Sequence, residues 1–251
     1  MSSIKKYFSL VKFSHTIFAM PFAIIGFFLG IYSSRFSAVP GYHTIVYPPS
    51  FFKDSVKLFL LVIGCMVFAR SAAMGFNRYL DRNFDAKNPR TAIREIPAGI
   101  ISKENALRFV IINCLLFTMA TFFINPICFF LSPVALFVVL FYSYTKRFTA
   151  FCHLVLGIGL SLAPIGAYLA VTGNFDVLPV LFSFAVLFWV SGFDIIYALQ
   201  DEAFDKSQNL HSIPAALGTS KALSVSELLH LLSAACVISA GVYGNFTWCF
   251  V

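Results

Sequence analysis

Long apolar runs are the feature that most limits what this chain can fold into. Seven stretches of about 20 residues are dominated by apolar side chains, at residues 13–31, 56–77, 105–124, 127–145, 151–171, 178–198 and 222–243. A transmembrane helix needs about 20 apolar residues in succession. Only 12% of the residues are charged, against roughly 25% in ordinary soluble domains, which is too few to build a water-facing surface. The sequence therefore predicts an all-α, multi-span transmembrane helical bundle of about seven helices, surrounded by membrane lipid. The fourth span is the weakest of these, because Pro126 and Pro133 lie at its start and inside it.

Basic residues are concentrated in every second connection between the apolar spans. The N-terminal segment and the connections after the second, fourth and sixth spans carry Lys or Arg, whereas those after the third and fifth carry neither. The connection after the first span has three basic residues, Arg35, Lys53 and Lys57. Because cytoplasmic loops of membrane proteins are enriched in Lys and Arg, the pattern predicts a cytoplasmic N-terminus and cytoplasmic even-numbered connections. Topology thus accounts for the formal net charge of +7, and no nucleic-acid partner is expected.

Two long cytoplasmic connections begin with a regular series of polar residues. The first series is Asn77, Asp81 and Asp85, at spacings of four. The second series is Asp194, Tyr197, Asp201 and Asp205, at spacings of three, four and four. Residues at such spacings share one helix face, where like charges repel. A compensating cation is therefore needed, and Mg²⁺ typically binds one or two carboxylates together with phosphate oxygens and water. We expect a Mg²⁺-bridged diphosphate between two acidic helices.

A solvated loop whose acids pair with neighbouring arginines would explain either series alone. The two segments, however, resemble each other. Asp81-Arg-Asn-Phe-Asp85 parallels Asp201-Glu-Ala-Phe-Asp205, and Ile96-Pro97-Ala98 parallels Ile213-Pro214-Ala215. This weak internal repeat favours two related halves that present the same chemistry to a shared site.

Basic residues on the same side of the membrane could neutralise a diphosphate. Arg90 and Arg94 follow the first series, Lys146 follows the fourth span, and Lys12 lies at the start of the first span. Both Arg and Lys bind phosphate groups. Lys146 and Lys12 could alternatively serve only to fix the topology.

With these motifs the sequence resembles the UbiA superfamily of membrane prenyltransferases. The first motif of that family, N-(D/Q)-x-x-D-x-x-x-D, corresponds to residues 77–85, and the Arg-rich segment that follows it corresponds to residues 90–99. The family's Y-x-x-x-K corresponds to residues 142–146, and its second motif, D-x-x-Y-x-x-x-D-x-x-x-D, to residues 194–205. Order and spacing agree over about residues 10–245.

The resemblance implies a reaction and a set of residue roles. It implies that a polyprenyl diphosphate and an aromatic carboxylic acid react with Mg²⁺ as cofactor, as in the 4-hydroxybenzoate polyprenyltransferases of quinone biosynthesis. The implied metal and diphosphate ligands are Asn77, Asp81, Asp85, Asp201 and Asp205. The candidate diphosphate cations are Arg90, Arg94, Lys146 and Lys12, and the candidate acceptor contacts are Arg70, Tyr197 and His15. Asp194 is the candidate catalytic residue that orients the acceptor or takes its ring proton.

The acceptor itself stays open. Strings beginning at Lys12, Phe76 and Gly192 also resemble a subgroup assigned to the futalosine route to menaquinone. The acceptor of that route, 1,4-dihydroxy-6-naphthoate, also combines a phenol with a carboxylate.

The sequence departs from the family pattern in two places. Arg78 stands where an acid or amide usually follows the motif Asn. Members of the family usually have nine helices, so the chain is expected to be a single membrane domain over residues 1–251 that lacks the last helices of the family.

Two other classes of membrane protein share some of these features. Secondary transporters combine internal repeats with intramembrane acids, but their acids lie near the bilayer midplane on broken helices. Here the acids cluster at the predicted cytoplasmic ends. A CDP-alcohol phosphotransferase needs Asp-Gly at its first acid, whereas Asp81 is followed by Arg82.

Overall fold

The computed structural model describes residues 3–36 and 51–244, apart from the side chains of residues 3, 4, 13–16, 18, 35, 36 and 51–53. The α-helices of this part are α1 (Ser3–Leu10), α2 (Phe13–Phe36), α3 (Phe51–Asp85), α4 (Lys103–Phe122), α5 (Pro126–Thr145), α6 (Cys152–Thr172), α7 (Val177–Ala198), α8 (Glu202–Ser207), α9 (Ile213–Leu217) and α10 (Thr219–Tyr243). A single 3-10 turn, Leu199–Asp201, separates α7 from α8.

Each predicted apolar span corresponds to one long helix. Within the described residues, α3–α7 and α10 are long and apolar enough to cross a membrane, and α2 contributes a shorter apolar stretch, Ala19–Ser34. The predicted all-α, multi-span architecture is therefore confirmed.

The fourth span, now α5, is a complete helix of 20 residues despite its two prolines. The side chain of Asn125 caps its start by accepting the Cys128 backbone N–H at 2.8 Å. Pro126 occupies the first turn, where a backbone N–H has no partner inside the helix, so proline is well tolerated there. Asn125 also donates to the Leu169 carbonyl at 2.8 Å, which ties the start of α5 to the end of α6.

Helix α6 lies at the centre of the bundle and packs against α2, α5 and α7. Two glycines allow its close contacts. A Cβ on Gly26 of α2 would lie 2.0 Å from the Pro164 carbonyl oxygen, and one on Gly157 would lie 2.6 Å from the Leu187 carbonyl oxygen of α7. Small residues serve the same purpose in other membrane helix bundles, where they let backbones approach.

The two acidic segments occupy equivalent places in the chain. The first ends α3, which packs against α4, and the second ends α7, which packs against α10. In each case a connecting segment, residues 86–102 or 208–218, leads from the acids into the partner helix.

Candidate active site

The first polar series lies on one face of α3, as the spacing predicted. The helix continues without interruption to Asp85, eight residues beyond the end of the apolar span. Asn77 donates through Nδ2 to Asp81 Oδ2 at 3.2 Å, so the first two members of the series are in direct contact. The third member, Asp85, is buried.

The second series is not a single helix face. Asp194 and Tyr197 lie on α7, Asp201 lies in the 3-10 turn, and Asp205 lies on α8. At this turn, Asp201 accepts hydrogen bonds from the segment that follows the first motif. Asn88 donates to its Oδ1 at 3.1 Å, and Arg90 donates to the same oxygen through Nε at 3.1 Å. The expectation of one unbroken face is therefore wrong between Tyr197 and Asp201, because this acid is bonded to the segment that follows the first motif.

Four carboxylates of the two series each pair with one cation. The pairs are Asp81 with Arg147 (2.9 Å), Asp85 with Arg94 (2.6 Å), Asp205 with Lys146 (2.9 Å), and Asp201 with Arg90. Four positive charges thus match four negative ones. The four acids predicted as metal ligands and three of the predicted diphosphate cations are brought together in this cluster, which we call the acid–cation cluster.

Two consecutive residues at the end of α5 reach the two motifs separately. Lys146 pairs with Asp205 of the second motif, and Arg147 pairs with Asp81 of the first. Arg147 also donates to the Leu80 carbonyl at 3.2 Å. Arg147 was not predicted as a site residue, although its position next to Lys146, a predicted diphosphate cation, could have indicated that role.

The electrostatic environment keeps Lys146 charged. Burial lowers the pKa of Lys146, but Asp205 and the nearby Asp81 and Asp201 outweigh that effect and raise the pKa above its ordinary value. The ammonium group is therefore protonated throughout the neutral pH range.

Arg90 is bound to both the acid and the aromatic residue of the second motif. Its Nη1 donates to the Tyr197 hydroxyl at 3.2 Å, and its guanidinium carbon lies 5.6 Å from the centre of the Tyr197 ring. Burial lowers the pKa of Arg90, but the hydrogen bonds to Asp201 and Tyr197 raise it above its ordinary value overall. Tyr197, predicted as an acceptor contact, thus touches a predicted diphosphate cation.

The cluster offers oxygen ligands of the kind that Mg²⁺ prefers. Within residues 3–36 and 51–244, no group of three or more His, Cys, Asp or Glu side chains is already gathered around a metal position. However, Asp85 Oδ2 is buried without a hydrogen-bond partner in this part of the chain. An orphaned buried carboxylate oxygen is costly unless something binds it, and hard divalent cations take carboxylate and amide oxygens as ligands. The residues present therefore fit a Mg²⁺ ion.

Asp194 is separate from the acid–cation cluster. Its Oδ2 lies 2.7 Å from Nδ1 of His153, a buried residue in the first turn of α6. No arginine among the described residues forms an ion pair with Asp194. His153 was not predicted as a site residue.

An apolar cavity lies next to these groups. Its volume is about 360 Å³, and it is lined by apolar residues of α2 to α6, including Ala23, Phe117 and Gly166. Arg70 and Tyr142 provide polar groups in its wall. Tyr142 precedes Lys146 by about one helical turn at the end of α5, so this part of the wall adjoins the acid–cation cluster. Ligand pockets are typically of this size and apolar, with a few convergent polar groups.

Two predicted site residues are not placed in the cluster. Lys12 follows α1 with a left-handed φ of 41°, and among the described residues it forms no ion pair with the acids. The side chain of His15 lies outside the described part of the chain. Their proposed contacts with diphosphate and acceptor stay predictions.

Comparison with known proteins identifies the same family that the motifs resemble. The model of the UbiA prenyltransferase family matches residues 37–251. A 4-hydroxybenzoate octaprenyltransferase of Francisella tularensis subsp. novicida is 31% identical over 193 residues, which cover 77% of this chain and 67% of the relative. An enzyme of the same name from Tolumonas auensis is 32% identical over 174 residues, covering 69% of this chain and 61% of the relative. The chain thus spans roughly two thirds of the length of these relatives.

Solved structures share the fold. The apo structure of a UbiA homolog from Aeropyrum pernix K1 superposes with a TM-score of 0.77 at 32% identity, covering 92% of this chain and 79% of that one. A UbiA homolog from Archaeoglobus fulgidus bound to GPP and Mg²⁺ superposes with a TM-score of 0.71 at 20% identity, covering 95% and 78%. Since the family model covers most of the chain, the chain belongs to the UbiA prenyltransferase family.

Proposed function

We propose that this chain transfers a polyprenyl group from polyprenyl diphosphate to the ring of an aromatic carboxylic acid such as 4-hydroxybenzoate, with Mg²⁺ as cofactor. The observation that carries the proposal is the acid–cation cluster beside an apolar cavity. The cluster supplies both signs of charge that a Mg²⁺-diphosphate needs, and the cavity supplies an environment for an isoprenoid tail.

The metal ligands in this proposal are the oxygens of the two motifs: Asn77, Asp81, Asp85, Asp201 and Asp205. The orphaned Oδ2 of Asp85 supports this assignment, as does the binding of Mg²⁺ to the Archaeoglobus fulgidus homolog. When bound, the ion stabilises negative charge on the departing diphosphate as a Lewis acid.

The cations of the cluster bind the diphosphate oxygens. These cations pair with the carboxylates that would hold the metal, so they lie where they could also bind the diphosphate oxygens of a metal–diphosphate complex. Arg90, Arg94 and Lys146 are the principal groups, and we add Arg147 to them because it pairs with Asp81 in the same manner. Lys12 is a further candidate on the same side. Charge-assisted hydrogen bonds from Arg and Lys to phosphate are among the strongest in proteins.

The reaction is a substitution at the first carbon of the prenyl group. The allylic C–O bond breaks, and its electron pair leaves with the diphosphate, where Arg90, Arg94 and Lys146 stabilise the added charge. The electron-rich ring carbon of the acceptor forms the new C–C bond. Asp194 then takes the ring proton as general base. The apolar cavity wall excludes water, which would otherwise capture the carbocation-like prenyl carbon.

Arg70 is the proposed partner of the acceptor carboxylate. It lies in the wall of the cavity, and its Nε is buried without a hydrogen-bond partner among the described residues. Tyr197 and His15 complete the acceptor contacts. A buried guanidinium of this kind recognises a carboxylate well because its N–H groups match the two oxygens.

Two acceptors, each with its own quinone pathway, fit this reaction. The names of the curated relatives favour 4-hydroxybenzoate and a ubiquinone route. The subgroup strings keep 1,4-dihydroxy-6-naphthoate and menaquinone as the alternative. A bacterial inner membrane is the proposed location, and the distribution of Lys and Arg supports placing the cluster on its cytoplasmic side.

The test is prenyl transfer by membranes that contain the chain. With Mg²⁺, a polyprenyl diphosphate and 4-hydroxybenzoate, we expect a ring-prenylated product that disappears with EDTA and in Asp81→Asn and Asp201→Asn. The matched control is Asp54→Asn, an exposed acid in the first turn of the same helix α3, about 40 Å from Asp81 at the helical rise per residue. Product that survives EDTA, or that is lost equally in the control, would rule out the proposed site.

A further inference from the structure

His153 makes two hydrogen bonds that link parts of the site distant in sequence. Its Nδ1 lies 2.7 Å from Asp194 Oδ2, and the backbone N–H of Ile213 donates to its Nε2 at 3.2 Å. The side chain is buried, with 2% of its surface exposed. The ring therefore joins α6 to α7 and to the first residue of α9.

The Ile213 bond determines which ring nitrogen carries the proton. A backbone N–H can only donate, so Nε2 must offer its lone pair and is unprotonated. In the neutral imidazole the proton is then on Nδ1, which donates to Asp194. A second proton would have to point at the Ile213 N–H, so this hydrogen bond opposes protonation of Nε2.

The segment before Ile213 is bonded to the same region of the chain. His211 N–H donates to the Lys146 carbonyl at 2.7 Å, and Cys152 Sγ lies 3.5 Å from the His211 carbonyl oxygen. His153 is thus the point where the connection after the second motif meets the candidate general base. Among the described residues it is also the one hydrogen-bond partner of the Asp194 side chain, which is 32% exposed.

We propose that His153 is a positioning residue: it holds the Asp194 carboxylate in one orientation by donating from Nδ1, and it takes no proton itself. This inference rests on the proposed function, in which Asp194 receives the ring proton. The competing arrangement is a relay, in which the imidazole accepts that proton from Asp194. The Ile213 N–H opposes a relay because it occupies the nitrogen that would have to be protonated.

Two substitutions separate the arrangements. In His153→Asn the amide nitrogen takes the place of Nδ1 and still donates to Asp194, but the side chain is not basic. In His153→Leu the donor is lost. We expect His153→Leu to lower kcat about tenfold or more, a part of the roughly 10²–10⁴-fold contribution of a general base. The KM for prenyl diphosphate should stay unchanged, since the cluster is intact. His153→Asn should keep kcat within about threefold.

The control is His211→Asn, which alters an exposed histidine on the neighbouring connection. Thermal unfolding in detergent shows whether each variant is folded. If folded His153→Leu keeps the wild-type kcat, or if His153→Asn is as impaired as His153→Leu, the positioning role is refuted.

A spectroscopic measurement keeps this inference distinct from the proposed function. In ¹⁵N-histidine-labelled chain, the ring signals lost in His153→Asn belong to His153, and we expect a protonated Nδ1 with an unprotonated Nε2. A protonated Nε2 overturns the inference even if the chain transfers prenyl groups. If the wild-type chain transfers none, the proposed function fails, and the His153–Asp194 geometry is still decided by these spectra.

Discussion

Lys146 gives the most quantitative prediction, because its partner is almost fully buried. The side chain of Asp205 is 1% exposed, and that of Lys146 is 35% exposed. In Lys146→Met the aliphatic length is kept, but the Asp205 carboxylate is left without its ammonium partner. The stability of the substrate-free chain should fall.

The size of the effect follows from these exposures. Removing one partner of a buried ion pair typically costs about 3–5 kcal/mol, because the remaining charge cannot be solvated. Water reaches the Lys146 ammonium and screens part of the interaction. We therefore expect the free energy of unfolding to fall by about 2–3 kcal/mol.

The pH range of the effect follows from the raised pKa of Lys146. A cation whose pKa is higher in the folded chain stabilises fully below its unfolded pKa, about 10.5 for lysine, and loses that contribution as the pH rises through the folded value. The difference between wild type and Lys146→Met should therefore be constant at neutral pH and shrink only above about pH 10.5.

Denaturant unfolding in detergent micelles measures this difference. The control is Lys103→Met, whose pair with Glu104 spans 3.8 Å and is 60% and 61% exposed; no measurable change is expected there. Adding Asp205→Asn to Lys146→Met should restore at least half of the loss, because the buried group is then neutral. The reasoning is refuted if Lys146→Met is as stable as Lys103→Met, or if Asp205→Asn gives no recovery.

Three further predictions concern the site, the packing and the cavity. Arg90→Lys keeps the charge but loses the forked contact with Asp201. The KM for prenyl diphosphate in steady-state assays should therefore rise about tenfold, the equivalent of one lost charge-assisted hydrogen bond. An unchanged KM would show that Arg90 does not bind the diphosphate. Gly157→Ala should lower the unfolding temperature because its Cβ meets the Leu187 carbonyl oxygen at 2.6 Å, whereas Gly166→Ala, whose Cβ meets nothing within 4 Å, should not. Equal effects of the two alanines would contradict the packing. Gly166→Leu places a larger side chain at the cavity wall, so the chain should prefer shorter prenyl diphosphates in competition assays. An unaltered chain-length preference would show that the prenyl tail does not bind in this cavity.

The helices could be predicted because lipid imposes a simple rule. Each long helix corresponds to an apolar run, since a spanning segment must be apolar over about 20 residues. The end of α3 lies beyond such a window, at Asp85 rather than residue 77. The spacing of Asn77, Asp81 and Asp85 predicts this end of the helix better than the apolar window does, because the helix continues beyond the apolar region with its polar face intact.

The partners within the site could not be predicted in the same way. The sequence provides the acids and cations, but which carboxylate meets which cation depends on how α3, α5 and α7 approach one another. Thus Arg147 was used only for topology, although it binds Asp81 as closely as Lys146 binds Asp205. The turn at Asp201 was equally hidden, because the groups that hold it lie more than 100 positions earlier in the chain.

His153 is the site residue that was hardest to predict from the sequence. It stands near the start of an apolar run with no polar periodicity around it, so nothing in its local sequence connects it with Asp194, 41 residues later. Only the packing of α6 against α7 makes the contact. Buried polar residues of this kind satisfy each other across helices, and a single sequence contains little information about such pairs.

The most direct test of the account is the product formed by the purified chain in lipid vesicles with Mg²⁺ and a polyprenyl diphosphate. 4-Hydroxybenzoate and 1,4-dihydroxy-6-naphthoate are supplied together in equal amounts, and the products are identified by mass spectrometry. We expect mass spectrometry to detect an acceptor prenylated on a ring carbon, with 4-hydroxybenzoate preferred. Release of diphosphate without any prenylated acceptor, or no reaction at all by chain shown to be folded and inserted, would contradict it.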